Sequence, residues 1–210
     1  LRRYYPNLMT RESVMGLEYS KWSNRVTADH NVRLAFTRLL AGPLDYTPGG
    51  FFNVPPSSFA PRFLNPQVPT TRAHQTALYV VFESAFMMLA DFPGAYKDQP
   101  ETPFITKVPV TWDETRVLSG DPDHHIVIAR RKGHDWYVGG ITNGDARDLK
   151  VALSFLPPGN YALTTIADAP TAAVEATKTS ISKSAVTNAS VLDLKLAPVG
   201  GFALAITPAQ

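Results

Sequence analysis

"HHIVIARRKGHDWYVGGITN" (residues 124–143) holds two β-rich runs separated by Lys132-Gly133 and closed by Asn143-Gly144. Both dipeptides are turn signals. Four more runs of the same kind follow: "LKVALSF", "GNYALTTIAD", "SVLDLKLAP" and "GGFALAITP", with further turns at Pro158-Gly159 and Gly200-Gly201. Short strands at intervals of roughly 8–12 residues predict an antiparallel β-sandwich. In "VLDLKLA" Val191, Asp193 and Lys195 alternate with Leu192, Leu194 and Leu196, so one face of that sheet is wet. "SKSAVTNAS" (182–190) reads as a polar turn region.

Upstream of about residue 100 the pattern changes. "NVRLAFTRLLAG" (31–42) has the broad apolar face of a helix, ended by Gly42-Pro43. "PLDYT" (43–47) reads as a short strand. The stretch 48–69, rich in Pro, Gly and Phe, reads as a long ordered loop. Thr70 or Thr71 caps a helix from about Arg72 to Ser84, and "AFMMLA" (85–90) reads as a strand buried on both faces. This order is a series of βα units. The expected fold class is therefore α/β plus all-β. A closed (β/α)8 barrel takes about 250 residues, so the first half reads as the C-terminal portion of a (β/α)8 barrel, followed by the sandwich.

The 210 residues are 44% hydrophobic and 18% charged, with net charge +2 and no cysteine. Disulfides and thiolate metal sites are excluded. The basic residues are dispersed, so no nucleic-acid partner is expected. No run approaches the roughly 18 apolar residues of a membrane helix. "LRRYYPNL" at the start has no apolar run and no small-residue cleavage site, so it does not read as a signal peptide. With no initiator methionine, the chain reads as a piece of a longer polypeptide.

Two acids, Glu12 and Glu18, stand in "NLMTRESVMGLEYSKWS" (7–23). Their spacing of six does not fall on one helical face, but Gly16 allows an irregular backbone on which they could converge. Clustered carboxylates can hold a hard cation such as Ca²⁺, and one can serve as a general acid. The alternative is a pair of surface acids neutralised by Arg11, Lys21 or Arg25. Asp45 and Asp91 follow the two expected strands, so each is either a cleft residue or a turn residue. His30 and His74 read as structural or supporting histidines, and Glu83 as a buried paired carboxylate or a packing residue within a helix. His124-His125 lack further ligands at metal-site spacing. Trp112, Trp136 and Tyr137 are either a sugar platform or, as β-rich residues, core.

The segments "YPNLMTRESVMGLEYSKWS", "AFTRLLAGPLDYTPGGF", "TRAHQTALYVVFESAFMMLAD", "VPVTWDETRVLSG", "IVIARRKGHDWYVGGITN" and "LAPVGGFALAI" occur in this order. Together they resemble the C-terminal part of glycoside hydrolase family 97, bacterial α-glucosidases and α-galactosidases. The resemblance implies that residues 1–98 end the catalytic barrel and 103–210 form a C-terminal β-sandwich. It implies that Glu12 binds Ca²⁺ and that Glu18 is the general acid and also touches the metal. Ser13 and Met15 stand where the family commonly has Gly and Arg. The implied partners are an oligosaccharide or α-glycoside substrate and the missing N-terminal part of the same polypeptide, in the periplasm or secreted. The opposing base or nucleophile cannot be mapped onto these residues. The competing expectation is a non-catalytic carbohydrate-binding or interaction module built on the sandwich.

Overall fold

The structure is a computed structural model that describes residues 4–209; the first three residues of "LRRYYPNL" lie outside them. Eight strands form the second half: β1 (Glu114–Asp121), β2 (His125–Lys132), β3 (Asp135–Thr142), β4 (Arg147–Ala152), β5 (Asn160–Asp168), β6 (Thr179–Thr187), β7 (Val191–Leu196) and β8 (Gly201–Pro208). Six make one antiparallel sheet in the order β1-β2-β3-β8-β5-β6, and β4 pairs with β7 in a second sheet. All six runs expected from sequence are strands. β1 was not expected, and β6 corrects the reading of 182–187 as turn, leaving 188–190 as the turn into β7. β6 lies at the sheet edge with most residues exposed, so no apolar alternation marks it; Asn160↔Thr187 to Asp168↔Thr179 pairing makes it a strand.

The six-stranded sheet is covered on both faces. Val127, Trp136, Val138, Phe202, Leu204 and Ile206 point toward Leu194 and Leu196 of β7, forming the sandwich core. Alternate residues on the other face, among them Ile126, Ile128 and Ile141, pack against the first half. Burial on both faces explains why β2, β3 and β8 read as nearly continuous apolar runs.

Among the described residues four helices lie in the first half: α1 (Ala28–Phe36), α2 (Arg72–Val81), α3 (Pro93–Tyr96) and α4 (Thr102–Ile105). α1 starts before the predicted 31 because Thr27 caps it, accepting from the His30 N–H. A separate 3-10 turn, Arg38–Ala41, completes the predicted segment. α2 begins at Arg72 as predicted, with Thr71 accepting from the His74 N–H, but stops at Val81. Every residue of α2 is buried. It sits in a trough of small residues: a Cβ on Gly139 would lie 2.7 Å from the Ala77 carbonyl, and one on Gly201 2.8 Å from the His74 Cα. Arg130 of β2 closes its C-terminal end, donating from Nε to Val80 O (2.7 Å) and from Nη2 to Val81 O (3.2 Å).

The predicted series of βα units is not formed. Among the described residues the first half has two isolated parallel bridges, Arg11↔Leu44 and Asn53↔Val68, and no parallel sheet. "PLDYT" contributes only the Leu44 bridge. "AFMMLA" is not a buried strand: Phe86, Met88 and Leu89 are exposed, and no neighbouring strand among the described residues takes up its backbone groups. The observed architecture is mostly antiparallel β with a few helices. Its halves share cores, since Leu44, Leu78 and Ile141 pack in one cluster and Phe51, Phe104 and Ile166 in another.

Asp168 joins the sheet to the turn before β8. Its Oδ2 accepts from the N–H groups of Ala197 (3.0 Å) and Gly201 (2.9 Å). Burial pushes its pKa up to about 6, against the opposing pull of those hydrogen bonds and of Thr71. An unfolded Asp ionises near pH 4, so between roughly pH 4 and 6 only the unfolded chain gives up this proton. The contribution to stability is full below about pH 4 and is lost as pH rises to about 6, by roughly 2–3 kcal/mol. Asp168→Asn keeps an acceptor without the titration. Its Tm should gain on the wild type between pH 4 and 7; a difference independent of pH would contradict this.

Candidate functional site

The segment that carries the two acids is clamped from three sides. Arg38 donates to four carbonyls, those of Arg11 (2.6 Å), Glu12 (3.0 Å), Gly42 (2.9 Å) and Pro43 (3.3 Å). The Asp45 N–H reaches Arg11 O (3.1 Å) and the Leu17 N–H reaches Tyr46 O (3.1 Å). His30 Nε2 lies 2.8 Å from Met15 O and so donates to it. Behind Tyr46 a buried chain of side chains fixes the whole arrangement. The Tyr46 hydroxyl donates to Asn31 Oδ1 (2.6 Å), and the Asn31 amide lies 3.0 Å from His74 Nε2. His74 Nδ1 meets Gly200 O at 3.1 Å. Burial lowers the His74 pKa to about 4, so the ring is neutral at pH 7, donating from Nδ1 and accepting at Nε2. His30 and His74 are thus supports, as the sequence implied.

Two backbone features bring the acids round. Ser13 has φ 44°, in the left-handed region that glycine tolerates best. Then Leu17–Lys21 forms a 3-10 turn. Gly16 itself is extended, with φ −77° and ψ 176°. Its lack of a side chain lets the Glu18 carboxylate fold back over it, where a Cβ would press on that carboxylate. The irregularity inferred at Gly16 therefore sits three residues earlier.

Glu18 is half-buried, whereas Glu12 is exposed. Burial raises the Glu18 pKa above its ordinary value, and the negative charges of Glu12 and Asp45 raise it further. A hydrogen bond from its own backbone N–H and the charge of Lys21 act the other way. Glu18 lines an open cleft with Leu17, Lys21, Thr47, Gln67 and Asp91. Thr47, a β-branched residue at φ 58°, is held in strained backbone at the cleft wall. Asp91 accepts from the Phe51 N–H at 2.6 Å. The structure thus gathers Glu18, Asp45 and Glu12 within electrostatic reach and places Asp91 in the same cleft as Glu18. Sequence reasoning missed Arg38, Thr47 and Gln67; none stands in a pattern that announces it. Among the described residues no group of three or more His, Asp or Glu side chains is arranged to hold a metal ion.

Other candidates fall elsewhere. Glu83 lies beyond the end of α2 and is exposed, so it is not the buried helical carboxylate expected; its side chain approaches Arg130 at 3.8 Å. His124 pairs with Asp121 (3.1 Å) and His125 with the Ser119 hydroxyl (3.2 Å). Trp136 is core, packed edge-on against Phe155. Trp112 and Tyr137 are partly buried against each other, with centroids 5.6 Å apart. These rings do not form an exposed platform.

Residues 111–207 match the family described as "Glycosyl-hydrolase 97 C-terminal, oligomerisation". A retaining α-galactosidase of Bacteroides thetaiotaomicron is 43% identical over 209 residues, covering 98% of this chain and 32% of that protein. A probable retaining α-galactosidase of Streptomyces bingchenggensis is 32% identical over 207 residues, covering 97% of this chain and 29% of that protein. A family 97 enzyme of Pseudoalteromonas sp. strain K8, solved with acarbose, superposes with TM-score 0.91 at 37% identity, covering 100% of this chain and 33% of that one. The chain spans about a third of the length of these relatives. Residues 111–207 match the C-terminal domain of glycoside hydrolase family 97, and over its whole length the chain is similar to about a third of the length of family 97 enzymes.

Proposed function

We propose that this chain is the C-terminal part of an exo-acting α-glycosidase, that its first half ends the catalytic barrel, and that Glu18 is the general acid. The observation that carries the reading is the Glu18 carboxyl: half-buried, in an open cleft, with its pKa raised by burial and by Glu12 and Asp45. A general acid must still hold its proton at working pH, and desolvation beside like charges favours that state. Glu18 gives this proton to the glycosidic oxygen as the bond from that oxygen to the anomeric carbon breaks. The glycosyl centre is attacked by a second carboxylate or a water activated by one, supplied by residues outside this chain. In a retaining course Glu18 then takes a proton from the water that releases the sugar.

Glu12 and Glu18 offer the oxygen donors that Ca²⁺ prefers, but the ion takes about six to eight oxygens. These two would be part of its shell, with the other ligands elsewhere in the polypeptide. Bound calcium would supply positive charge that offsets the repulsion between the acids. A retaining α-galactosidase is the more identical of the relatives above, at 43% against 37% for the Pseudoalteromonas enzyme, so terminal α-galactosides are the first substrates to try. A periplasmic or secreted location is part of this reading. The sandwich supports the site rather than forming one, since its aromatic rings are committed to packing.

The full-length protein should release terminal galactose or glucose from α-glycosides, lose activity to a calcium chelator and regain it with added Ca²⁺. Failure to hydrolyse any α-glycoside would overturn the enzymatic reading. Activity indifferent to the chelator would remove the metal role alone.

A further inference from the structure

The Tyr46 carbonyl accepts from the Leu17 N–H (3.1 Å), and the next residue is Glu18. On one side of Tyr46, Asp45 donates its N–H to Arg11 O (3.1 Å). On the other, Thr47 stands at φ 58° in the wall of the Glu18 cleft. A β-branched residue persists in that region only where its surroundings over-determine it. The Tyr46 side chain supplies such a hold. Its ring is buried edge-on against Phe82, with centroids 4.9 Å apart. Its hydroxyl opens a run of hydrogen bonds that all point one way. Tyr46 donates to Asn31 Oδ1 (2.6 Å), Asn31 Nδ2 to His74 Nε2 (3.0 Å), and His74 Nδ1 to Gly200 O (3.1 Å). The side chains of this run are fully enclosed, so water cannot replace a lost link. The far end is set as firmly. Gly200 O also accepts from the Thr142 N–H (3.1 Å), and Asp168 Oδ2 holds the N–H groups of Ala197 and Gly201 around it.

We propose that Tyr46, Asn31 and His74 are positioning residues for the general acid. They fix the Tyr46 carbonyl, and through Leu17 the Glu18 carboxyl, against the Gly200 turn of the sandwich. The proposal rests on Glu18 being the general acid. It gives the sandwich a share in the chemistry although the sandwich brings no group to the substrate. Every link is buried within this chain, so the run does not depend on residues outside it. When a link is cut, the strain at Thr47 is no longer opposed. Residues 45–47 relax, the Tyr46 carbonyl shifts, and Leu17 carries the acid away from the departing oxygen.

The test uses the full-length enzyme at saturating calcium and two substrates with the same terminal sugar. One is an oligosaccharide, whose leaving oxygen needs the proton. The other is a dinitrophenyl α-glycoside, whose leaving oxygen barely does. Tyr46→Phe removes the first link and leaves the ring on Phe82. His74→Leu removes the last two and keeps an apolar side chain in their place. In each variant kcat/KM on the oligosaccharide should fall about ten-fold more than on the aryl glycoside, within the roughly 10²-fold that a misplacement of about 1 Å can cost. The ratio of the two rates in one preparation is independent of how much of it is folded, so a loss of stability alone leaves it unchanged. Equal falls on both substrates, or no fall on either, would overturn the positioning role while Glu18→Gln, run alongside, keeps its selective loss. Equal losses in Glu18→Gln as well would overturn the acid reading and the proposal with it.

Discussion

Glu18→Gln in the full-length enzyme should lower kcat/KM on unactivated oligosaccharides by about 10²–10⁴-fold, the range for loss of a general acid. Glutamine has nearly the same shape, so the fold over Gly16 should survive and Tm should change little. The variant should also lose the basic limb of the pH profile, because the group whose deprotonation stops wild-type turnover is gone. In metal-free protein the Glu18 carboxyl should titrate above the ordinary glutamic acid range, since burial first, then Glu12 and Asp45, favour the protonated form. There Glu12→Gln, which removes a neighbouring negative charge, should move that titration down. A Glu18→Gln enzyme with near wild-type rates on all oligosaccharides would take the acid role away.

Arg72→Ala should be strongly destabilising, by roughly 3–5 kcal/mol. Arg72 is 5% exposed. It donates to Asn53 Oδ1 (2.6 Å), Gln99 Oε1 and Phe51 O, lies 3.8 Å over the Phe51 ring and stands 3.6 Å from Glu101. Glu101 is 1% exposed and is otherwise held by the Thr179 hydroxyl of β6. Without Arg72 a buried carboxylate loses its cation, and the cost of that uncompensated charge exceeds the value of the contacts themselves. For a chain of this size the loss corresponds to a Tm drop of roughly 6–20 °C. Adding Glu101→Gln should recover a large part of it, because the unpaired charge disappears. A double variant no more stable than Arg72→Ala would show that the contacts with Phe51 and Asn53, not the charge, dominate.

Much of the sandwich was legible because its central strands are apolar and punctuated by Gly turns. β6 was not, since an edge strand with wet residues such as Ser182 and Lys183 resembles a loop in composition. The buried α2 was legible from its Thr71 cap, although Arg72, His74 and Gln75 within it are buried through long-range partners that no local pattern encodes. "AFMMLA" misled because apolar composition predicts burial, while strand formation needs a neighbour to accept its backbone hydrogen bonds. At the candidate site the types and order of the acids were visible, with family resemblance supplying their roles. Their convergence was not, because it depends on a left-handed Ser13, a 3-10 turn and the Arg38 clamp from a distant segment. The departure of Ser13 from the family's usual glycine falls at the one residue of this segment where glycine's backbone freedom would be used.

The central claim, that Glu18 delivers a proton to the departing oxygen, is tested most directly by the dependence of rate on leaving-group acidity. Wild type and Glu18→Gln should be compared in the full-length enzyme, at saturating calcium, on a series of aryl α-glycosides and on an oligosaccharide. The rates of the variant should depend steeply on the acidity of the phenol, approaching wild type for the most acidic ones, whose oxygen barely needs a proton, and falling furthest for the oligosaccharide. Equal losses across the series, with calcium bound, would contradict the acid role.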